Sequence, residues 1–170
     1  GYAWDIENDD AVEYQGAEYA SASYTFTGGY HAVKLTVTNN TGETAVCIKS
    51  DCVRIVPATI YVAMGAGSVP PYDTWAKAAT NFIDAWAVAG SATGAIRREV
   101  VISNGSYQVS NFNMDRDITI RSVNGPGVTA FDAGLIVTRR VIAVMAANAL
   151  VQGLTLRRGH FMDFTSVGAG

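Results

Sequence analysis

The chain has 170 residues, of which 49% are hydrophobic and 16% charged, with a net charge of -3. That balance belongs to a folded chain rather than a disordered one, and neither half is basic enough to make nucleic acid a default partner. The uncharged, largely apolar stretch from Val141 to Leu156 has 16 residues and contains Asn148, Gln152 and Thr155, short of the ~20 apolar residues that a membrane-spanning helix needs.

In chain order, Tyr2 to Ile6 reads as a strand carrying Trp4 and leads into an acidic turn. Asp5, Glu7, Asp9 and Asp10 make that turn the candidate metal site. Calcium, a hard cation that prefers oxygen ligands, is the candidate ion, although the turn lacks the glycine and spacing of a calcium loop. A solvated acidic turn is the plainer reading, and no other cofactor is expected. Ser21 to Phe26 reads as a second strand, ending at Gly28-Gly29. Residues 31–39, HAVKLTVTN, alternate cleanly, as a half-buried antiparallel strand does. His31 falls on its inner side as a core or rim residue, because no Ser, Cys or second His lies near it in sequence to build a triad. Asn39 to Gly42 is a turn, and Glu43 to Val56 resumes as strand with CIKSDC as a bulge in it. Cys47 and Cys52 are expected to close that short loop as a disulfide, with two free thiols as the alternative; two ligands are too few for zinc.

Residues 1–56 carry eight acids and three bases, and the remainder seven acids and nine bases. This shift places a domain boundary near Pro57, giving an expected first domain at 1–56 and a second at 57–170. The first segment, YAWDIENDD followed by SYTFTGGYHAVKLTVTNNTGE, resembles a PKD domain, an immunoglobulin-like β-sandwich of extracellular and cell-surface proteins. Gly29, Val33, Leu35, Val37, Asn39 and Gly42 match that family's pattern. His31 stands where the family usually has Tyr, and Ile6 to Asp9 replace its common Phe-Gly-Asp-Gly turn. The resemblance implies a spacer or interaction module. The family has strands ahead of the Trp-Asp strand with which this segment begins, so the expectation is a partial sandwich, incomplete at its N-terminal side, with sheet edges open to strand addition.

In the second segment Thr59 to Ala63 is a strand and Gly65 to Asp73 a loop. Asp73 to Gly90 is predicted as the one amphipathic helix. Trp75, Ala79, Phe82, Ile83 and Trp86 recur at helical spacing, Asp73 or Thr74 caps its start and Gly90 stops it. Trp75, Phe82, Ile83 and Trp86 are thus the expected core of a cap. A linker runs to Gly94. Self-similar strand-turn units follow at Val100–Gly105, Ile118–Gly125 and Leu154–Gly159, with shorter strands at 128–131, 141–145 and 150–151. Units that each end on Gly or Asn-Gly, and that cannot bury an apolar face alone, point to a coiled parallel sheet. The segment also resembles the start of a right-handed parallel β-helix of the pectin-lyase-like superfamily, on IYVAMGAGSVPPYDTWAKAATNFIDAW, EVVISNGSYQV, DITIRSVNGPGVT and VIAVMAANALVQGLTLRRG. In that family the opening strand and amphipathic helix cap the first coil.

The expected fold is therefore mainly β: a partial immunoglobulin-like sandwich, then a right-handed parallel β-helix with one amphipathic capping α-helix. The superfamily includes polysaccharide lyases and hydrolases, which cluster acids in a groove. Here Asp115, Asp117, Asp132 and Asp163 do not recur at one coil position. Asp115-Arg116-Asp117 and His160 read as turn residues, and Arg139-Arg140 and Arg157-Arg158 as surface charges at strand ends. The leading expectation is a non-catalytic secreted or cell-surface module for adhesion, display or assembly. Its partners would be further copies of itself, neighbouring domains of a longer chain, or polysaccharide, and its open edges would allow self-assembly. The alternatives are a fragment of a polysaccharide-degrading enzyme with its active site in later coils, and a carbohydrate-binding module.

Overall fold

The structure, a computed structural model, describes residues 1–92, 96–134 and 139–160. Gly94, Asp163 and the stretch from Thr165 to Gly170 lie outside the described residues. The fold is mainly β, with an antiparallel sheet, then parallel sheets and a single described helix. It divides into two compact units, Gly1–Ile55 and Val56–Gly170.

The first unit is one antiparallel layer of four strands in the order β2-β1-β3-β4: β1 (Tyr2–Ile6), β2 (Tyr14–Gly16), β3 (Gly29–Thr38) and β4 (Thr44–Ile55). Cross-strand partners share a face. Trp4, Leu35 and Cys47 therefore lie on one side of the sheet, and Asp5, Lys34 and Ile48 on the other. The β3–β4 turn is held by Asn39, whose Oδ1 accepts from the backbone N of Thr41 and of Glu43, both at 2.9 Å. Ser21 to Phe26 is not a strand. It runs without a ladder, tied by Tyr14 Oη donating to the Ser23 carbonyl and by Tyr24 stacked edge-on to Phe26. The strand on the other side of β1 from β3 is instead the short β2, whose glycine and charged neighbours give little alternation to read.

The predicted Cys47–Cys52 disulfide is not formed, and both thiols are free and exposed. Both residues lie within β4, Cys47 opposite Leu35 and Cys52 next to the pair Val53–His31. A bulge shortens the path between them. At about 3.3 Å per residue along β3 they are still on the order of 10 Å apart, beyond the ~7 Å that a disulfide tolerates between Cα atoms.

The second unit is a parallel coil with three faces. The first face has the order β12-β9-β6-β5, made of β5 (Thr59–Val62), β6 (Glu99–Ile102), β9 (Thr119–Ser122) and β12 (Leu150–Gln152). The second stacks β7 (Gly105–Gln108), β10 (Thr129–Asp132) and β13 (Thr155–Arg157). The third pairs β8 (Phe112–Met114) with β11 (Ile142–Val144). Register puts Ile60, Val100, Ile120 and Val151 on one rung, and Tyr107, Phe131 and Leu156 on another. Ile60, Val100 and Ile120 are fully buried; each such side chain contributes about 1.5–3 kcal/mol of burial. The repeat is not the predicted one, however. Val100 pairs with Ile120 rather than with Ile118, and Leu154 to Arg157 belongs to the second face because β13 pairs with β10. Turns of unequal length between like strands let sequence similarity slip while the ladder does not.

The predicted 73–90 helix is split in two. Only α1 (Phe82–Ser91) is helical, capped by Asn81, whose side chain accepts from the Asp84 amide at 2.9 Å. Gly90 lies inside it, and Ala92 is the C-cap. The chain ahead of Asn81 runs along the outer edge of β5. Tyr61 N donates to the Tyr72 carbonyl, Ala79 N to the Tyr61 carbonyl and Ala63 N to the Ala79 carbonyl, each at 2.9 Å. An exposed sheet edge templates unwanted pairing, and this segment closes it.

The helix covers the interior instead. Phe82, Ala85, Trp86 and Ala89 are its inner face, at i, i+3, i+4 and i+7. Phe82 is 1% exposed and packs on Phe112 (4.9 Å between ring centroids) and Phe131 (4.7 Å). Of the four expected cap-core residues, Phe82 and Trp86 are buried, whereas Ile83 is 49% and Trp75 42% exposed. Two alanines on the inner stripe let the helix approach the coil closely. Small residues carry little hydrophobic signal, so the pattern of bulky side chains points one position around the helix from its true inner face.

Candidate functional site

In the first unit the acidic turn is organised from within. Glu7, Asn8 and Asp10 all have positive φ (100°, 55° and 70°), a conformation that costs roughly 1–2 kcal/mol per non-glycine residue. The buried Asp5 carboxylate offsets that cost by accepting from the amides of Asp9 (3.0 Å) and Asp10 (3.1 Å). Lys34 Nζ then sits 3.2 Å from Asp5 and 2.8 Å from Asp10. Its ammonium lies where the candidate calcium ion would, and its hydrogen bond holds the Asp10 carboxyl below the usual range. Glu7 turns away to His31. The four predicted acids are therefore not brought together around one point, and no metal-ligating group of three forms among the described residues.

His31 is buried, with Nδ1 2.7 Å from Glu7 Oε2 and Nε2 2.8 Å from the Thr27 carbonyl. A carbonyl only accepts, so Nε2 carries a proton, and an ionised Glu7 draws a second onto Nδ1. The Glu7 carboxylate accordingly raises the His31 pKa, against the opposing effect of burial. A raised histidine contributes stability that is complete below the ordinary imidazole value and is lost as pH rises through the folded value. The NMR titration of His31 is expected to have its midpoint above the ordinary value, and Glu7→Gln to lower it. An ordinary midpoint in the wild type would refute the pair.

In the coil Asp117, Glu99 and Asp132 are engaged in bonds between successive turns, whereas among the described residues Asp115 meets only its neighbour Arg116, at 3.9 Å. Asp117 accepts from Asn148 N (3.0 Å) and Nδ2 (2.9 Å). Glu99 on β6 pairs with Arg121 on β9. Asp132 is 0% exposed and accepts from Gly134 N, from Arg157 Nε (2.9 Å) and from Arg158. The Arg158 guanidinium is the largest influence holding the Asp132 carboxyl at about 2. Arg157 and Arg158 are exposed charges at a strand end, as expected, and they also clamp the preceding coil through Asp132. His160 N donates to the Arg139 carbonyl at 2.7 Å, so that residue forms an isolated antiparallel bridge with Arg139 rather than the expected turn.

One arrangement remains on the outer surface. Because Ile60 and Val62 point inward, Tyr61 points outward, and Trp75 stacks on it with ring centroids 4.5 Å apart at 51°. Trp75, Ser103, Asn104, Val123 and Asn124 line a shallow groove of about 390 Å³. Asn104 and Asn124 occupy the same corner of successive coils, and Asn124 Nδ2 donates to Asn104 Oδ1 at 2.8 Å. Gly105, with φ 148°, follows Asn104, and a Cβ there would lie 3.2 Å from the Met64 sulfur. An exposed aromatic face beside amide and hydroxyl groups can stack a flat apolar surface and hydrogen-bond hydroxyls at its edge. Sequence reasoning assigned Trp75 to the core and missed Tyr61 and the two asparagines as a group. The available signal was the Asn-Gly pair that recurs at 104–105 and 124–125.

Compared with known protein families, with curated proteins and with solved structures, the chain matches none. No helix among the described residues is long and apolar enough to cross a membrane.

Proposed function

We propose that the chain is a non-catalytic adhesion module of a secreted or cell-surface protein, in which a PKD-like layer precedes the capped start of a pectin-lyase-like β-helix and the coil engages polysaccharide. The observation that carries this reading is the Trp75–Tyr61 stack beside Ser103, Asn104 and Asn124. A sugar ring presents an apolar face of C–H groups and an equatorial rim of hydroxyls, the chemistry that this groove complements. The coil acids support the non-catalytic part, since Asp117, Asp132 and Glu99 are each engaged in holding one turn to the next. Self-association would use the outer edge of β4, the longest strand, where Val46 and Ile48 are exposed; its bulge and the charges of Lys49, Asp51 and Arg54 limit how far such pairing extends.

Affinity electrophoresis against a panel of neutral and acidic polysaccharides tests the reading. At least one polymer is expected to retard the chain, and Trp75→Ala to weaken that binding at least tenfold (about 1.4 kcal/mol) without lowering the unfolding temperature. Retardation unchanged in the variant would place binding elsewhere. Release of unsaturated or reducing sugars by the chain would replace the proposal with the enzyme reading.

A further inference from the structure

Behind the last turn of α1 the second unit holds a cleft of about 520 Å³. Ala89, Gly90 and Ile96 form part of its apolar wall, and Arg97, Arg98 and Arg116 bring three guanidinium groups to it. Asp117 is the one carboxylate among its described lining residues, and both of its oxygens are taken by Asn148. Arg97 donates to the Asn148 carbonyl at 2.6 Å. Arg116 has its recorded carboxylate contact, Asp115, only at 3.9 Å.

Arg98 is the telling residue. It is 9% exposed, its Nε is buried without a hydrogen-bond partner among the described residues, and its Nη1 reaches the Ile96 carbonyl only at 3.3 Å. A guanidinium does not lose its proton, so burial leaves it charged, and a buried charge without a counter-charge is strongly unfavourable. Gly90 belongs to the same arrangement. A Cβ at that position would lie 1.3 Å from Arg116 Nη1, so the glycine leaves the space in which the Arg116 guanidinium lies against the helix. An alanine there would push aside the end of the flexible Arg116 side chain rather than the backbone.

We propose that this cleft binds an oxyanion, the carboxylate or sulfate group of a small ligand or of a polymer substituent, held by the guanidinium groups of Arg98 and Arg116. A planar fork of N–H donors matches either group in bidentate fashion, and three arginines against one committed carboxylate supply the charge. The site is separate from the Trp75 groove, and its failure would leave the polysaccharide reading standing.

The test is thermal unfolding of the whole chain in sodium chloride, acetate and sulfate at equal ionic strength. Sulfate stabilises most proteins by exclusion from their surface, so the readout is the difference between wild type and Arg98→Met. The wild type is expected to gain roughly 10 °C over the variant in acetate or sulfate once the anion exceeds its dissociation constant about a hundredfold. Whichever salt gives the larger difference identifies the preferred group. In chloride Arg98→Met should be no less stable than wild type, because an unpaired buried charge is replaced by an apolar chain of similar length. Arg116→Gln, at a more exposed position, should lose the same anion-dependent gain and carries the test if Arg98→Met does not fold. Arg54→Gln, in the first unit, should retain the gain. Equal shifts in wild type and in both cleft variants would overturn the proposal.

Discussion

Phe82→Ala is expected to destabilise the second unit by about 3–5 kcal/mol, the range for removing a buried aromatic ring, and to lower its unfolding temperature by roughly 10–20 °C. The ring is almost wholly buried and touches Trp86, Phe112 and Phe131. Phe112 and Phe131 come from two different faces of the coil. Its loss would therefore open a cavity where the lid meets the interior. Ile83→Ala is the matched control. The adjacent residue is half exposed, and its truncation should change stability by no more than about 0.5 kcal/mol. Calorimetry of the two variants distinguishes the observed inner face of α1 from the stripe that the sequence suggested. Equal losses would mean that the helix is rotated from the orientation described.

Asp132→Asn is expected to produce the largest loss from any polar substitution in the coil, and to flatten the acid limb of the stability profile. The carboxylate is sealed on β10 and bonded by two arginines of the following coil. An amide of the same shape would keep one acceptor oxygen but turn a donor NH2 toward the arginines, and would leave both guanidinium groups without their counter-charge. The sign of the pH effect follows from the shift. The folded pKa, at about 2, lies below the ordinary aspartate value. The contribution is therefore complete above about pH 4 and is lost as pH falls toward about 2. Wild-type unfolding temperature should decline over that window, and Asp132→Asn should show a shallower decline. Asp117 and Asp10 are also depressed and keep some slope in the variant. Parallel curves for the two proteins would refute the assignment.

Much of the fold was legible because local chemistry and tertiary packing agreed. The extended character of β3 follows from the alternation of its own ten residues, although both of its faces are half-buried and Val37 is exposed, and the Asn39–Gly42 turn closes through bonds that Asn39 makes to its immediate neighbours. TIRS has one face that must be buried, and EVVI is buried on both; neither run can bury its apolar residues alone, which is why a parallel coil could be anticipated. The candidate site was less legible. Trp75 was misplaced because a bulky aromatic at helical spacing from Phe82 and Trp86 carries the same signal whether or not the helix extends to it. Asp132 offered no sign of its partners, since Arg157 and Arg158 lie 25 and 26 residues away, across a turn whose length no short-range rule sets.

By itself the sequence determined the class of the protein, mainly β with antiparallel strands followed by a parallel coil and one helix. Those features follow from side-chain period, turn residues and the need to bury apolar area. Only the tertiary structure decided that the first unit is a single antiparallel layer among the described residues, where the helix begins, which of its faces is inside, that Cys47 and Cys52 stay apart, and which charges meet. The physical reason is competition for backbone partners. Residues 73–79 read as helix by pattern, but the open edge of β5 offers Ala79 hydrogen bonds that a helix there would forgo. The partners, Tyr61 and Ala63, lie on the far side of the Gly65–Asp73 loop, and their edge exists only once the coil has formed.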